Sequence, residues 1–354
     1  MGSQAMLFSL NKFKFHKSLL MLALVVFANF AVAEVYRWKD ENGNLSFSDQ
    51  PPKSASQLAE VIGIKGLLSE DQRFKALENE IGRVELKNVA HGQYQQYIPE
   101  GGLKRFKIVV VNHGMFSAAE TAAESARNTL RRWQRFAKKN KAIIVAPVFD
   151  NANYAVTVRG ARNGGYRGLY GRHVGADDFL HEILREYQLA NRQFDGRFYL
   201  SGHSAGAQFA NRYLVRHPQR VIAAAFSAPA WFAQPSSEHQ WPYGMGGRKF
   251  MVQWPREAQK KKIDIQPNPN GWLLATQRSV AVVVGVLDLK PMRHVQGIGG
   301  DTHVGRAKHW VKAMNKYASQ FGENSKIKLE LVPGVGHNYG KLAGECQVFL
   351  ANYM

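Results

Sequence analysis

Six short, largely β-branched apolar runs, at 108–111, 142–146, 198–200, 221–226, 280–287 and 327–332, are separated by segments long enough to hold helices. A short run of this kind suits a strand of a sheet covered by helices. Helical patterning over 118–139, 176–187, 205–217 and 305–321 fills the gaps between runs. The alternation predicts an α/β fold, a mostly parallel sheet with helices on both faces. One long interruption, 231–276, is rich in Pro, Gly and Trp and suits a lid or pocket wall over the carboxyl ends of the strands.

The third run gives way to a helical pattern through Gly202-His203-Ser204-Ala205-Gly206. A serine that attacks a carbonyl must stand clear of the backbone on a sharp strand-to-helix turn, and such a turn accepts only small residues two positions either side. The serine also needs a base, and the base a carboxylate to hold its tautomer. Asp288 follows the apolar run that ends at Leu287, and His337 follows the last run in the Gly-rich loop Pro333-Gly334-Val335-Gly336. An early run leads directly into Asn112-His113-Gly114-Met115, where backbone N–H groups could face a developing oxyanion.

With these parts in the order Ser204, Asp288, His337, the stretch from about 84 to 354 resembles a serine hydrolase of the α/β-hydrolase superfamily. Asp195 to Ser201 and Gly175 to Leu180 resemble the esterase branch that includes polyhydroxybutyrate depolymerases and feruloyl esterases. The resemblance implies Ser204 as nucleophile, His337 as base, Asp288 as its orienting acid, and the N–H groups of Met115 and Ala205 as the oxyanion hole. It implies a small-molecule or polymeric ester as substrate and no cofactor. A peptidase of the same fold and a non-catalytic envelope-binding protein are the competing functions.

Several residues carry a second reading. Asp301 lies in the same interstrand segment as Asp288 and competes for the acid role, although Asp288 follows the strand end directly. Asp177 and Asp178 are adjacent on a helix, point in different directions and suit its first turn better than a metal. No histidine spacing resembles a metal-ligand motif, so no metal is assigned. Cys346 is the single cysteine and lacks the setting of a reactive thiol. Trp231, Trp241, Tyr243, Trp254 and Trp272 could line a pocket or form the insertion's own core, with Trp231 favoured as substrate-binding because it follows a strand end.

The N-terminus reads as an export signal over 1–33: Lys12, Lys14 and Lys17 precede an apolar stretch, and Ala31-Val32-Ala33 offers a cleavage pattern. An uncleaved anchor is the alternative. Cleavage leaves 321 of 354 residues and lowers the formal charge from +20 to +17, a surface that attracts anions such as those of the envelope. The basic residues are spread along the chain and match no nucleic-acid reader motif. Residues 34–53 alternate in character around Asn42-Gly43, predicting a β-hairpin. They resemble a small domain of unknown function found after the signal peptide of bacterial envelope proteins, which implies a periplasmic or secreted location. A polar connector is expected over 54–83, and the catalytic domain over 84–354.

Overall fold

A computed structural model describes residues 35–39, 45–48, 60–62, 68–154, 165–254, 259–266, 268–292 and 299–354. The expected export signal and the Asn42-Gly43 turn lie outside the described residues. The chain divides into two compact units, Met1–Leu68 and Ser69–Met354. In the first, β1 (Val35–Lys39) pairs antiparallel with β2 (Leu45–Ser48), and β3 (Glu60–Ile62) pairs antiparallel with the other edge of β1. The sheet therefore extends past the hairpin expected over 34–53.

The second unit begins before the boundary expected at 84. Ser69 caps α1 (Glu70–Glu78) through a reciprocal capping box with Gln72, which satisfies two otherwise orphaned backbone donors. Arg73 of this helix pairs with Glu186 at 3.0 Å, so the second half of the expected connector is a docked helix.

An eight-stranded sheet forms the centre of this unit, in the order β13-β12-β9-β8-β6-β7-β5-β4. Its parallel part consists of β6 (Ile108–Asn112), β7 (Ile143–Val148), β8 (Phe198–His203), β9 (Val221–Ser227), β12 (Ser279–Gly285) and β13 (Ile327–Val332). These are the six apolar runs, lengthened or trimmed by a residue or two at most of their ends. The antiparallel edge, β4 (Val84–Val89) and β5 (Gly92–Tyr97), alternates with polar residues and is not among those runs.

Successive residues of the parallel strands face opposite layers. Ile108 and Val110 join one core with α5 (Ala176–Ala190), α6 (Ala205–Arg216), α7 (Asn270–Thr276) and α8 (His303–Ser319). Val109 and Val111 join the other core with α2 (Ala122–Arg131), α3 (Gln134–Asn140) and α9 (Tyr339–Ala351). The one-turn helix α4 (Asn151–Tyr154) follows β7. The single helical pattern expected over 118–139 is thus two helices, with Trp133 fully buried between them.

The 231–276 segment holds an antiparallel ribbon of β10 (Arg248–Val252) and β11 (Lys261–Ile265), then α7, which belongs to the first helical layer. Trp241, Trp254 and Trp272 are buried core residues here. Two contacts fasten the start of the segment: Phe232 stacks on Trp310 of α8 at 5.1 Å, and the Trp310 indole N–H donates to the Ala233 carbonyl at 2.7 Å. Trp310→Ala should therefore lower unfolding stability by about 3–5 kcal/mol in urea titration, with loss of both packing and a buried hydrogen bond. A change under about 1 kcal/mol would mean the segment is held elsewhere.

Candidate active site

The sheet order determines where a site can form. From β6 the chain runs outward to β7 and then returns to place β8 on the opposite side of β6. Loops leaving β6 and β8 at their carboxyl ends thus diverge and leave a crevice, the usual position of ligands in open α/β sheets. The loop after β6 contains His113, Gly114 and Met115, and the turn after β8 contains Ser204.

Ser204 has φ 53° and ψ −111°, a left-side conformation that costs a non-glycine residue about 1–3 kcal/mol. Its N–H donates to the Ser227 carbonyl at 2.9 Å, and its own carbonyl accepts from Gln208 N–H at 3.1 Å, which fixes the turn between β9 and the start of α6. The flanking glycines are required by contact. A Cβ on Gly202 would stand 2.4 Å from the Gly206 carbonyl oxygen, and one on Gly206 would stand 2.1 Å from that of Asn112. The serine is consequently pushed out over the strand ends, beside the β6 loop: a Cβ on Gly114 would lie 3.7 Å from the Cβ of Ser204.

Hydrogen bonds hold the β6 loop in one conformation. Asn112 donates its side-chain amide to the Ser201 carbonyl at 2.7 Å. His113 is fully buried; its Nε2 accepts from Phe149 N–H at 3.1 Å, and its Nδ1 donates to the Gly114 carbonyl at 2.8 Å. Those two bonds select the neutral Nδ1–H tautomer, and burial pushes the imidazole down to about 4 despite the Gly114 carbonyl. His113 is a prop for the loop. Among the described residues neither Met115 N–H nor Ala205 N–H is engaged by a protein acceptor, and both belong to the segments that meet at Ser204.

The acid and base follow the ends of β12 and β13. Asp288 is buried and His337 is exposed on its loop, with His337 Nδ1 2.7 Å from Asp288 Oδ2. Burial works to raise the carboxyl's pKa, but the imidazoles of His303 and His337 outweigh it and hold Asp288 well below the usual carboxylate range. The carboxylate bonded to His337 is that of Asp288; Asp301 lies exposed, its backbone carbonyl accepting from Met292 N–H at 2.7 Å. The His337 ring lies 4.8 Å from that of His203, the residue before the serine. Among the described residues the Ser204 hydroxyl makes no hydrogen bond to His337, an open arrangement common before substrate arrives.

Two further histidines complete the surroundings. His203 stacks on Tyr339 at 4.7 Å and meets the Ser227 hydroxyl at 2.9 Å, and burial pushes it down to about 3, with the His337 charge adding to the effect. His303, the first residue of α8, places Nδ1 3.0 Å from the second oxygen of Asp288 and its ring 4.6 Å from His337. No spacing signal marks His303. Trp231 is half-buried, with the Arg306 guanidinium 3.5 Å from its ring centre and Tyr243 edge-on at 5.4 Å. Asp177, in the first turn of α5, bonds to His217 at 2.8 Å, which links it to the far end of α6. Cys346 is buried, and desolvation pushes its thiol up to about 12.

Comparison with known proteins bears on the fold and on the N-terminal segment. A family model described as DUF4124, a domain of unknown function, matches residues 22–73. No curated protein matches the chain. LpqC, a poly(3-hydroxybutyrate) depolymerase from Bordetella parapertussis, superposes with a TM-score of 0.62 at 21% identity over 80% of this chain and 94% of that one. Poly(aspartic acid) hydrolase-1 from Sphingomonas sp. KT-1 gives 0.58 at 17% identity over 75% and 96%. The chain has the α/β-hydrolase fold.

His113 and His203 carry a measurable cost in acid. An unfolded chain protonates them near 6.5, while the folded chain keeps both neutral to about 4 or below, so stability is full above 6.5 and declines as pH falls toward those lower values. Urea titrations should show a loss of about 2–5 kcal/mol between roughly pH 7 and pH 4.5, with a shallower loss in His113→Gln. Equal stability at both pH values would mean that neither ring is held neutral.

Proposed function

We propose that this protein is an exported serine hydrolase that cleaves carboxylic esters through an acyl-enzyme. The observation that carries the reading is the strained Ser204 turn, set beside a loop with free N–H groups, in the same crevice region as a bonded Asp288–His337 pair. In the proposed reaction the Ser204 oxygen attacks the ester carbonyl, and its proton passes to His337 Nε2. The negative oxygen of the tetrahedral intermediate lies against the Met115 and Ala205 N–H groups, each worth about 2.7–4 kcal/mol to the transition state. Collapse expels the alcohol, which takes the proton from His337. Water repeats the sequence and frees the acid. Asp288, kept ionised by the imidazoles around it, holds the Nδ1–H tautomer of His337 throughout.

Export rests on the 1–33 segment and on the small domain that follows it. No helix among the described residues is long and apolar enough to cross a membrane. Ester in preference to amide rests on the resemblance to esterases. Of the two superposed proteins, one is a poly(3-hydroxybutyrate) depolymerase and the other a poly(aspartic acid) hydrolase, which supports a hydrolase of polymeric or small carboxylic acid derivatives. The basic surface suits an anionic envelope or an anionic substrate.

A fluorophosphonate probe should label the wild-type protein and leave Ser204→Ala unlabelled. Failure to label the wild type would favour the non-catalytic reading, and a panel of aryl, short-chain, long-chain and polymeric esters beside aminoacyl amides would separate esterase from peptidase. Asp288→Asn should reduce kcat/KM by about four orders of magnitude, as expected when the base loses its tautomer, whereas Asp301→Asn should change it less than about tenfold. The opposite ranking would place the acid at Asp301.

A further inference from the structure

We propose that Asp288, His303 and His337 form a binding site for a zinc-class divalent cation, and that the bound cation switches the hydrolase off. Binding stands on the geometry alone; inhibition rests on the function proposed above.

Each of the three side chains offers one ligand atom, and all of these atoms lie within 4.8 Å of one another. Two imidazole nitrogens and a carboxylate oxygen are a donor set that suits zinc, and three protein ligands leave the fourth tetrahedral position to water. His303 supplies the second imidazole. Its Nδ1 is buried and lies 3.0 Å from Asp288 Oδ1, while His337 Nδ1 lies 2.7 Å from Asp288 Oδ2, so both imidazoles turn the same nitrogen toward one carboxylate. The remaining requirements are access and adjustment. His337 is exposed, on a loop that contains Gly334 and Gly336, so it can admit an ion to the two covered ligands behind it and shift to close the coordination.

Coordination through Nδ1 defines the effect on the relay. A neutral imidazole bound at Nδ1 carries its one hydrogen on Nε2, so the lone pair that would take the Ser204 proton is gone. The cation also occupies the carboxylate that would otherwise orient His337. Zinc and the catalytic tautomer are therefore mutually exclusive at the same three residues.

The test uses the protein stripped of metal by a chelator and dialysed, titrated calorimetrically with Zn²⁺ and followed by visible absorption with Co²⁺. One equivalent should bind, with the intense cobalt bands of a four-coordinate site. Affinity should fall on the order of 100-fold or more in His303→Gln, since even partners outside the ligand shell contribute 10- to 100-fold. If that variant fails to fold, His337→Gln on the exposed loop supplies the same measurement. Ser204→Ala should bind zinc like the wild type, which separates this site from the hydrolase reading: an inactive wild type that still binds zinc through His303 and His337 sinks the enzyme and keeps the site. In an active wild type, one equivalent of Zn²⁺ should abolish ester hydrolysis and excess chelator should restore it. Absence of saturable binding, or equal binding by both histidine variants, would overturn the site; full activity with zinc bound would overturn the switch.

Discussion

The approach of the first turn of α6 to the carbonyl of Asn112 governs the rest of this unit. At Gly206 the two backbones are so close that a single methyl group would overlap the oxygen, and the same turn has no room at Gly202. Because helix and strand meet without side chains between them, Ser204 is lifted into an unfavourable backbone region and held there by Ser227 and Gln208. Pairing of β6 with β8 and of β8 with β9 resists relaxation of that strain. Position, exposure and orientation of the serine all follow from that one contact.

Around it the molecule uses histidine in distinct ways. His113 is kept neutral by burial and two defined hydrogen bonds, and serves to fix a loop. His203 is kept neutral between Tyr339 and Ser227. His337 is exposed and joined to Asp288, whereas His303 is buried against the other oxygen of the same carboxylate. One ionised acid thus stands among the imidazoles of His203, His303 and His337, and burial keeps His203 neutral beside it.

Much of this was legible in the sequence because it depends on local pattern. The runs are strands since a parallel sheet covered by helices favours short apolar segments, as in 108–111, and Gly202-x-Ser204-x-Gly206 is a turn since nothing larger fits. Asp288 and His337 are legible because each lies in the loop just past a strand's carboxyl end, after Gly285 of β12 and Val332 of β13. The strands β4 and β5 carry no apolar run: β5 lies between β7 and β4, yet it buries Gln95 and Gln96, which donate to the Ala123 carbonyl and the Glu80 carboxylate, partners that no local pattern encodes. The docked helix α1 lay inside what reads as a polar connector; only Ser69 and Gln72 announce it. His303 was invisible for a different reason. Its proximity to Asp288 arises from the packing of α8 against β12, and no short-range spacing encodes that.

Helix α8 presents His303, Arg306 and Trp310 at successive turns along one side. The first touches Asp288, the second covers Trp231, and the third clasps Phe232 and Ala233. A single rigid rod therefore spans from the acid to the root of the tryptophan-rich excursion. A change that shifts the base of that excursion therefore also tugs on the carboxylate, whereas one confined to the distal ribbon, β10 and β11, leaves the rod at rest.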